Sequence, residues 1–460
     1  MAPPRVVIVG AGPAGARCAE ALVAAGLVPT VIEEGRRDGG QIYRRQPETF
    51  TRDYATLYGT EAGKAQALHG AFEALRGRID YRPDTLAWNV AHKELHVVSG
   101  GRSEALPFDA LIVCAGATDR LMPVKGWNRA GTYSLGGAQI ALKAQACAIG
   151  RSVAFMGTGP LLYLIATQYL KAGARAAAVL DTSPFRLRIA ALPKLLARPA
   201  LLRNGLAMTA ALCRAKVPLH LGIEPVEIKG SATEGVTGLV YRDSEGRERA
   251  IECDAVALGY HLRPETQLAD LAQCEFRFDA TTRQWVVQLD ADGRTTTKGV
   301  YLAGDGAYVL GADAAEAAGR LAALAALTDL GLPAPREDID ALRTTLAKMR
   351  RFGDGLTHAF PWPFREAARL PDDAVLCRCE SITAGELRGA VRDKEATEAN
   401  RAKAFTRVGM GRCQGRYCAH AAAEVIAHAA GMPVESVGRL RGQAPVKPFS
   451  MATVKDDATG

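Results

Sequence analysis

Four of the ten cysteines lie close together near the end of the chain. They form a C-x-C pair and a C-x4-C pair with 33 residues between the pairs, and they are Cys377, Cys379, Cys413 and Cys418. Four thiolates on two short loops can enclose a [2Fe–2S] cluster, because its ligands divide between two irons. Zinc also binds four thiolates, but its usual spacing is C-x2–4-C, so zinc is one alternative and free or disulfide-bonded thiols are another. Three nearby arginines would offset the negative charge of a cluster and raise its potential: Arg378, Arg412 and Arg416.

A glycine-rich turn at the start of the chain has the spacing of an anion-binding site. Residues 6–9 are apolar β-formers, a Gly-x-Gly-x-x-Gly turn follows at 10–15, and an alanine-rich run from Ala16 to Ala25 favours a helix. The glycines let the backbone approach a pyrophosphate, and the helix N-terminus presents free N–H groups to it. Glu33 ends a second apolar run 23 residues after Gly10, where a carboxylate accepts hydrogen bonds from a ribose diol. The alternative is a turn without a ligand; the predicted dinucleotide contacts are Gly10, Gly12, Pro13, Ala14, Gly15, Glu33 and Glu34.

Another carboxylate stands at a strand end much further along the chain. An apolar strand runs into Gly304 and Asp305, and a helix of small residues is predicted from Ala312 to Leu330. An aspartate there can hydrogen-bond a ribitol hydroxyl, while the helix directs its N-terminus at a flavin. A solvent-exposed turn aspartate is the alternative. Combined with the opening turn, this pattern predicts an FAD site.

The strand–turn–helix plan recurs 147 residues after its first copy. The turn contains Gly157 and Gly159, and the strand after the helix ends in Asp181. Leu162 stands where the third glycine would be, so helix and strand cannot approach as closely. Gly157, Gly159 and Asp181 are therefore the predicted contacts of NAD or another nucleotide, and a folded domain without a nucleotide is equally consistent with the pattern.

Residues 182–216 contain seven Lys and Arg side chains and no Asp or Glu, with leucines between them. We interpret the segment as a solvated pair of helices, because charge runs usually mark solvated helix faces. The alternative is a docking face for a partner protein or for an anionic surface.

The composition is that of an ordinary globular protein. The chain has 460 residues, 48% of them hydrophobic and 23% charged, and its net charge of +8 is too diffuse to indicate nucleic-acid binding. The first apolar run stops at Gly10, which argues against a signal peptide, and the longer apolar stretches are broken by Gly, Lys and Arg. We therefore expect a cytoplasmic protein without a membrane span, at most peripherally associated. The six scattered cysteines are expected to be buried free thiols: Cys18, Cys114, Cys147, Cys213, Cys253 and Cys274.

No set of residues suited to substrate chemistry stands out in the sequence. The scattered cysteines form no C-x2-C or C-x4-C pair of the kind that a disulfide reductase needs beside its flavin. The eight histidines are dispersed, and no carboxylates are paired for proton transfer. We therefore assign no catalytic residue.

These motifs resemble those of known flavoproteins over nearly the whole chain. The body resembles the thioredoxin-reductase-like class of FAD/NAD-linked flavoproteins, in which the loop at Gly40 and Gln41 lies against the FAD and the turn at Ala115 and Gly116 is a hinge. The tail resembles the [2Fe–2S] domain of bacterioferritin-associated ferredoxin. Together they resemble the A (alpha) subunit of bacterial opine oxidases, a group that includes octopine and nopaline oxidases and the related D-hydroxyproline and proline dehydrogenases. The hydrogen cyanide synthase B subunit is a near relative.

The resemblance implies both a fold and a division of labour. The fold is α/β, with two Rossmann-like dinucleotide-binding domains and a small helical [2Fe–2S] domain at the C-terminus. An FAD-containing beta subunit would oxidise the amine of an opine, hydroxyproline or proline, and a small ferredoxin-like gamma subunit is a further expected partner. This chain would relay the electrons through FAD and the cluster to an acceptor. The alternatives are a self-contained NAD(P)H-dependent reductase of ferredoxin-reductase type and a non-redox scaffold subunit.

The order of the motifs predicts four parts. The FAD-binding domain is discontinuous, with residues 1–125 and 290–332, and the second dinucleotide-binding domain lies between, at 126–289. A linker, 333–372, contains a helix over Ile339–Met349, and the [2Fe–2S] domain occupies 373–460. Short strands are expected at Ile79–Arg82, Thr85–Val90 and Leu95–Val98.

Overall fold

The first part of the chain begins with the predicted strand, turn and helix. The structure is a computed structural model that describes residues 3–450, 452, 454 and 455; the ends of the predicted domains, 1–2 and 456–460, lie outside it. The first helix starts at Pro13, three residues before the expected Ala16, because the fixed φ of proline suits a first helical position. The elements are β1 Val6–Val9, α1 Pro13–Ala24, β2 Thr30–Ile32, α2 Tyr54–Tyr58, α3 Ala62–Leu75, β3 Asp80–Arg82, β4 Leu86–Ala91, β5 Glu94–Ser99, β6 Arg102–Pro107, β7 Ala110–Val113, β8 Ala117–Asp119, β9 Thr132–Ser134 and α4 Leu135–Ala144.

The middle of the chain repeats this plan and adds two insertions. Two helices follow the second copy's second strand, and a three-stranded antiparallel sheet that the sequence did not predict follows them. The elements are β10 Ser152–Thr158, α5 Pro160–Lys171, β11 Arg175–Asp181, α6 Phe185–Leu195, α7 Pro199–Arg214, β12 Leu219–Leu221, β13 Glu224–Ser231, β14 Gly235–Arg242, β15 Glu248–Glu252, β16 Ala255–Tyr260, β17 Leu262–Pro264, α8 Gln267–Leu271, β18 Phe276–Asp279 and β19 Gln284–Val287.

The last part is mostly helical. Its longest helix, Arg336–Ala359, extends ten residues beyond the predicted end at Met349. The extension is stabilised by packing, because Phe352 and Ala359 form a cluster with Ala191 and Leu195 of α6. The elements are β20 Val300–Leu302, α9 Ala312–Asp329, α10 Arg336–Ala359, α11 Phe364–Ala368, β21 Val375–Cys377, β22 Ile382–Thr383, α12 Ala384–Lys394, α13 Ala399–Thr406, α14 Ala419–Ala430, α15 Val434–Val437 and β23 Val454–Lys455.

Two parallel five-stranded sheets form the frame. The first has the order β20-β7-β1-β2-β3 and the second the order β12-β11-β10-β16-β9. Strand β20 returns to the first sheet after the chain has built the second, and pairs with β7. Two parallel sheets that each begin with a strand–turn–helix unit confirm the predicted fold class.

The first sheet is buried on both faces. Helices α1, α3 and α9 cover one face, and the antiparallel strands β4–β6 with α8 cover the other. Helices α1 and α9 cross closely, because a side chain at Gly319 would come within 2.0 Å of the Ala14 carbonyl oxygen. This crossing brings the N-terminus of α9 beside the turn after β1.

The C-terminal helices have a core of their own. Leu376, Leu387, Val425 and Ile426 are among the residues buried together beneath the cysteines. In the part of the chain that the structure describes, no helix is both long and apolar enough to cross a membrane.

Candidate functional site

The first glycine turn holds an uncovered helix N-terminus. A side chain at Gly15 would lie 1.8 Å from the Gly10 carbonyl oxygen, and one at Gly10, where φ is +104°, would lie 2.4 Å from the Cys114 carbonyl oxygen. Helix α1 begins after Gly12 with no side-chain cap and no acidic residue in its first turn. The backbone N–H groups of Ala14 and Gly15 are therefore available to an anion such as a pyrophosphate.

Glu33 stands at the end of β2 beside this turn. Its carboxylate accepts hydrogen bonds from the backbone N–H groups of Ala11 and Gly35, both at 2.8 Å. Burial raises the pKa of Glu33, although the two N–H donors oppose the shift. A carboxylate oxygen accepts more than one hydrogen bond, so Glu33 can still bind a ribose diol. Glu34 instead forms an exposed ion pair with Lys447.

Three further turns converge on the same helix end. A side chain at Gly40 would come within 3.0 Å of the Gly12 Cα, and one at Gly304 within 2.8 Å of the Ala14 Cβ. One at Gly306 would lie 3.3 Å from the Gly116 carbonyl oxygen, which places the turn at Ala115 and Gly116 against residues 304–306. The side chain of Gln41 accepts a hydrogen bond from Arg44. These turns bring bare glycine backbone together around the N-terminus of α1, a region that we call the flavin-type cleft.

Asp305 faces this cleft, and only one of its two carboxylate oxygens accepts hydrogen bonds from the protein. Its Oδ1 accepts from the N–H groups of Leu310 and Gly311, at 2.9 and 3.1 Å. Burial raises the pKa of Asp305. Its Oδ2 has no hydrogen-bond partner among residues 3–450, and it could accept a ribitol hydroxyl. The residues around the first turn therefore fit FAD.

The second copy of the turn differs at its acidic residue. The Asp181 side chain is 0% exposed. Its two oxygens accept five hydrogen bonds, from the Thr158 and Tyr163 hydroxyls, the N–H and hydroxyl of Ser183, and Arg188. These protein donors occupy both oxygens, so no part of this carboxylate reaches a ribose.

His261 lies next to the second turn and connects it to Phe360, the residue at the end of α10. A side chain at Gly159 would lie 3.2 Å from the His261 ring, and the His261 imidazole is hydrogen-bonded to the Phe360 carbonyl. The Arg188 guanidinium lies 5.0 Å from the centre of the Phe360 ring. Leu162, in place of the third glycine, is fully buried. The second turn therefore differs from the first in the partners of its acid and in the residue at the third glycine position.

The four terminal cysteines come from two loops and meet in space. Cys377 ends β21, Cys379 follows it, and Cys413 and Cys418 lie in the loop before α14. Cys418 is hydrogen-bonded to both Cys377 and Cys413, and Cys413 to Cys379. The hydrogen bond from Cys418 lowers the pKa of Cys377 to about 6 and that of Cys413 to about 5. The same hydrogen bonds raise the pKa of Cys418, and burial raises that of Cys379.

The thiols form a chain of contacts and do not surround a single point. Among the described residues, no group of three or more His, Cys, Asp or Glu side chains is arranged to hold one metal ion. A side chain at Gly411 would lie 2.2 Å from the Cys379 Cβ, so the two loops approach closely there. This arrangement fits a binuclear cluster, whose ligands divide between two irons.

Other sequence expectations have mixed outcomes. Cys18, Cys114, Cys253 and Cys274 are buried as expected, but Cys147 and Cys213 are exposed, because they lie at a helix end and on the outer side of α7.

Of the three arginines near the cluster motif, Arg378 stacks on Trp127 and Arg412 is exposed. Arg416 is buried in an ion pair with Glu265. The sequence offered no signal for Glu265, a single acid after a short strand.

The α6–α7 pair differs from an ordinary solvated pair of helices. Phe185, Ile189 and Leu206 are 58%, 56% and 64% exposed. Arg188 and Arg198 pair with Asp181 and Asp313, while the other five cations of residues 182–216 form no ion pair with the described residues. Exposed apolar side chains among unpaired cations are unusual for a surface that faces only water.

Comparison with known protein families gives two matches. Residues 4–322 match the family of pyridine nucleotide-disulphide oxidoreductases. The chain belongs to this family. Residues 375–428, which contain all four clustered cysteines, match the BFD-like [2Fe–2S] binding domain. This member of the oxidoreductase family therefore combines a dinucleotide-binding body with an iron–sulfur-type tail.

Several relatives of this oxidoreductase match it over nearly its whole length. The opine oxidase A subunit of Rhizobium meliloti is 36% identical over 97% of this chain and 86% of its own length. The opine oxidase A subunit of Agrobacterium tumefaciens is also 36% identical, over 97% and 90%. Hydrogen cyanide synthase subunit HcnB of Pseudomonas aeruginosa is 30% identical over 99% of both chains. The predicted resemblance to opine oxidase A subunits is confirmed.

Two solved structures share the fold. L-proline dehydrogenase from P. horikoshii superposes with a TM-score of 0.72 over 98% of this chain and 79% of its own, at 18% identity. Thioredoxin reductase from T. acidophilum gives a TM-score of 0.50 over 71% of this chain and 98% of its own, at 19% identity. The match with thioredoxin reductase covers the dinucleotide-binding body alone, and the match with L-proline dehydrogenase extends through the C-terminal tail.

Proposed function

We propose that this chain is the electron-transferring flavoprotein subunit of a heteromeric amine dehydrogenase or oxidase. The observation that carries the proposal is that one chain contains both a glycine-lined region around the N-terminus of α1 and four adjoining thiols in the part that matches a [2Fe–2S] binding domain. Bound FAD takes electrons in pairs and releases them singly, which suits it to an iron–sulfur partner. The N-terminus of α1 would hold the pyrophosphate and Glu33 the ribose. The four cysteines, Cys377, Cys379, Cys413 and Cys418, would hold a [2Fe–2S] cluster.

The substrate class is inferred from the relatives. Two relatives at 36% identity are named as the A subunit of an opine oxidase, which implies further subunits. We assign oxidation of the CH–NH bond of an opine, hydroxyproline or proline to an FAD-containing beta subunit, with a small ferredoxin-like gamma subunit as a further partner. Each oxidation releases two electrons, and this chain passes them to an acceptor. A role like that of the hydrogen cyanide synthase B subunit is the second candidate, favoured by the end-to-end match with HcnB.

The second glycine turn has a structural role in this proposal. Both Asp181 oxygens accept hydrogen bonds from the protein, and the His261 ring lies beside Gly159. We therefore propose that NAD(P)H does not bind there. This argues against a self-contained NAD(P)H-dependent reductase, because such an enzyme needs a nicotinamide site next to its flavin.

The exposed face of α6 and α7 is the surface that we assign to the beta subunit. Its apolar side chains would be buried, and its unpaired cations would meet acidic groups on the partner. The two helices also border a cavity of about 1740 Å³ that reaches Gly159 and Leu310. Leu310 lines this cavity and also donates its N–H to Asp305. The cavity beside α6 and α7 therefore ends next to the flavin-type cleft.

Spectroscopy of the purified chain tests the cofactors directly. We expect the visible bands of a flavin and, after reduction, the EPR signal of a [2Fe–2S] cluster. The complex with its beta subunit should oxidise an opine or imino acid when an artificial acceptor is supplied. A chain without either chromophore, or a complex without amine oxidation, would contradict the proposal.

A matched pair of cysteine variants separates a relay from a scaffold. Cys413→Ser removes a cluster ligand, whereas Cys147→Ser changes an exposed thiol far from the cluster motif. In the complex, we expect Cys413→Ser to lose electron delivery to the natural acceptor and Cys147→Ser to keep it. Full activity of Cys413→Ser would favour the scaffold.

A further inference from the structure

One short segment contacts both candidate cofactor sites. The bridge segment, residues 262–267, contains β17 and the start of α8. Strand β17 pairs with β8, and the Glu265 N–H donates a hydrogen bond of 2.9 Å to the Gly116 carbonyl. Gly116 in turn packs against Gly306, next to Asp305. One edge of the bridge segment is therefore part of the flavin-type cleft.

The other edge of the bridge segment holds the loop that precedes α14. The Glu265 carboxylate accepts from the Arg416 Nε at 2.6 Å, and the Arg416 Nη1 donates to the Cys413 carbonyl at 3.3 Å. The Gln267 side-chain amide donates to the Gln414 carbonyl at 2.9 Å. Glu265 and Arg416 thus form a continuous hydrogen-bonded path from Gly116 to a cluster cysteine.

This path also carries a buried positive charge. The side chains of Arg416 and Glu265 are 8% and 12% exposed, and Arg263, which donates to the Arg416 carbonyl, is 9% exposed. Burial opposes the charge of Glu265, but Arg263 and Arg416 outweigh that cost and hold the pKa of this carboxyl below its ordinary value. Two guanidinium groups and one carboxylate leave a net charge of +1 beside Cys413. A charge out of water acts more strongly on its neighbours than an exposed one does.

We infer that Glu265 and Arg416 are positioning residues for electron transfer between the two sites. They hold the cluster loop at a fixed distance from the turn at Gly116, and the buried charge of Arg416 raises the reduction potential of the cluster. The inference rests on the proposed function, because it needs both cofactors bound. The transfer would move one electron at a time from reduced flavin to oxidised cluster, and the ring N–H protons that the flavin loses would pass to solvent; the electrons come from the amine that the partner oxidises.

The reduction potential of the cluster tests the charge. EPR-monitored redox titration of the full chain should give a lower potential for Arg416→Gln, since reduction adds negative charge to the cluster and the variant lacks a buried cation. Glu265→Gln should shift the potential upward, because it removes the opposing carboxylate. Arg412→Gln is the matched control: it removes the same charge from the same loop, but from an exposed side chain.

If Arg416→Gln and Glu265→Gln shift the reduction potential of the cluster in opposite directions, a general loss of structure is excluded as the cause. The inference fails if Arg416→Gln shifts the potential no more than Arg412→Gln, or if the two buried substitutions shift it in the same direction. Without an EPR signal in the unaltered chain, the proposed function itself would fail; a normal signal with unshifted potentials would defeat this inference alone.

A charge-conserving variant tests the positioning. Lysine at 416 keeps the cation but lacks the planar fork that reaches both Glu265 and the Cys413 carbonyl. We expect Arg416→Lys to keep a potential close to that of the unaltered chain and to slow reduction of the cluster in stopped-flow measurements with substrate and the beta subunit. An unaltered rate in Arg416→Lys would show that the fork has no positioning role.

Discussion

The two glycine turns of this chain have the same local plan and different surroundings. After β1, the acid of the motif, Glu33, keeps capacity for a ligand, and α1 begins at an uncovered cleft. After β10, the corresponding acid, Asp181, is fully buried and accepts five hydrogen bonds from the protein. The same strand–turn–helix unit thus provides a ligand site in one place and a structural network in the other.

The difference shows that the partners of the acid decide the role of such a turn. Arg188 and Tyr163 supply donors that a ribose would otherwise supply. Tyr163 lies on α5, which packs on the second sheet, whereas Arg188 lies on α6, which packs against α10 and belongs to the insertion that follows Asp181. The insertion at the end of the second strand therefore supplies an internal ion pair to the acid at this position.

The largest effect is expected for Gly15→Ala. The new methyl group would lie 1.8 Å from the Gly10 carbonyl oxygen, so the turn must open or the helix must move. We expect the purified chain to lose its flavin absorbance. Gly63→Ala is the control, since nothing lies within 4 Å of a side chain at this helix position. Stoichiometric flavin in Gly15→Ala would show that the first turn does not hold the cofactor.

Replacing Asp181 or Glu33 by alanine should separate an effect on the stability of the fold from an effect on flavin binding. Asp181→Ala leaves Arg188 without its buried partner and should lower the free energy of unfolding by about 3 kcal/mol, with flavin affinity unchanged. Glu33→Ala should instead weaken flavin binding about tenfold or more, because hydrogen bonds to a charged group contribute about 1.5–3 kcal/mol. Urea unfolding and flavin titration measure the two quantities. Equal loss of flavin in both variants would remove the distinction between the turns.

A smaller effect is expected on the way the free energy of unfolding depends on pH. Burial raises the pKa of Asp305, so the folded chain holds that proton longer than the unfolded chain does. The stabilisation from this proton is fully present below the pKa that Asp305 has in the unfolded chain. It is lost as the pH rises through the pKa that Asp305 has in the folded chain. Asp305→Asn does not titrate, so its unfolding free energy relative to the unaltered flavin-free chain should rise from about pH 4 to about pH 7. A constant difference across this range would mean that Asp305 is not desolvated.

The smallest effect, no change at all, is expected with NADH. Flavin absorbance in the unaltered chain should not bleach, and it should not bleach in Leu162→Gly either. Restoring the third glycine relieves the packing at the helix but leaves Asp181 bonded to Arg188. Chemical reduction with dithionite is the control for a reducible flavin. Bleaching of the unaltered chain by NADH would instead support the self-contained reductase.

Much of the site could be predicted because its signals are local. The turn at 10–15 and the four cysteines have spacings that follow from backbone approach to phosphate and from thiolate ligation. Less local features were missed. The extension of α10 to Ala359 depends on packing against α6, and the exposure of Cys147 and Cys213 depends on which side of a helix meets the rest of the protein.

The sequence by itself determined that this chain has two dinucleotide-type turns, the first with three glycines, and a four-cysteine tail. These are properties of residue type and spacing within a few dozen residues. Only the tertiary structure decided that both Asp181 oxygens are bonded within the protein, that His261 lies beside Gly159, and that Glu265 pairs with Arg416. The contacts of His261 and Glu265 link residues that are distant in the chain, and those of Asp181 depend on how nearby helices pack, because a buried acid takes its role from whichever donors the fold brings to it.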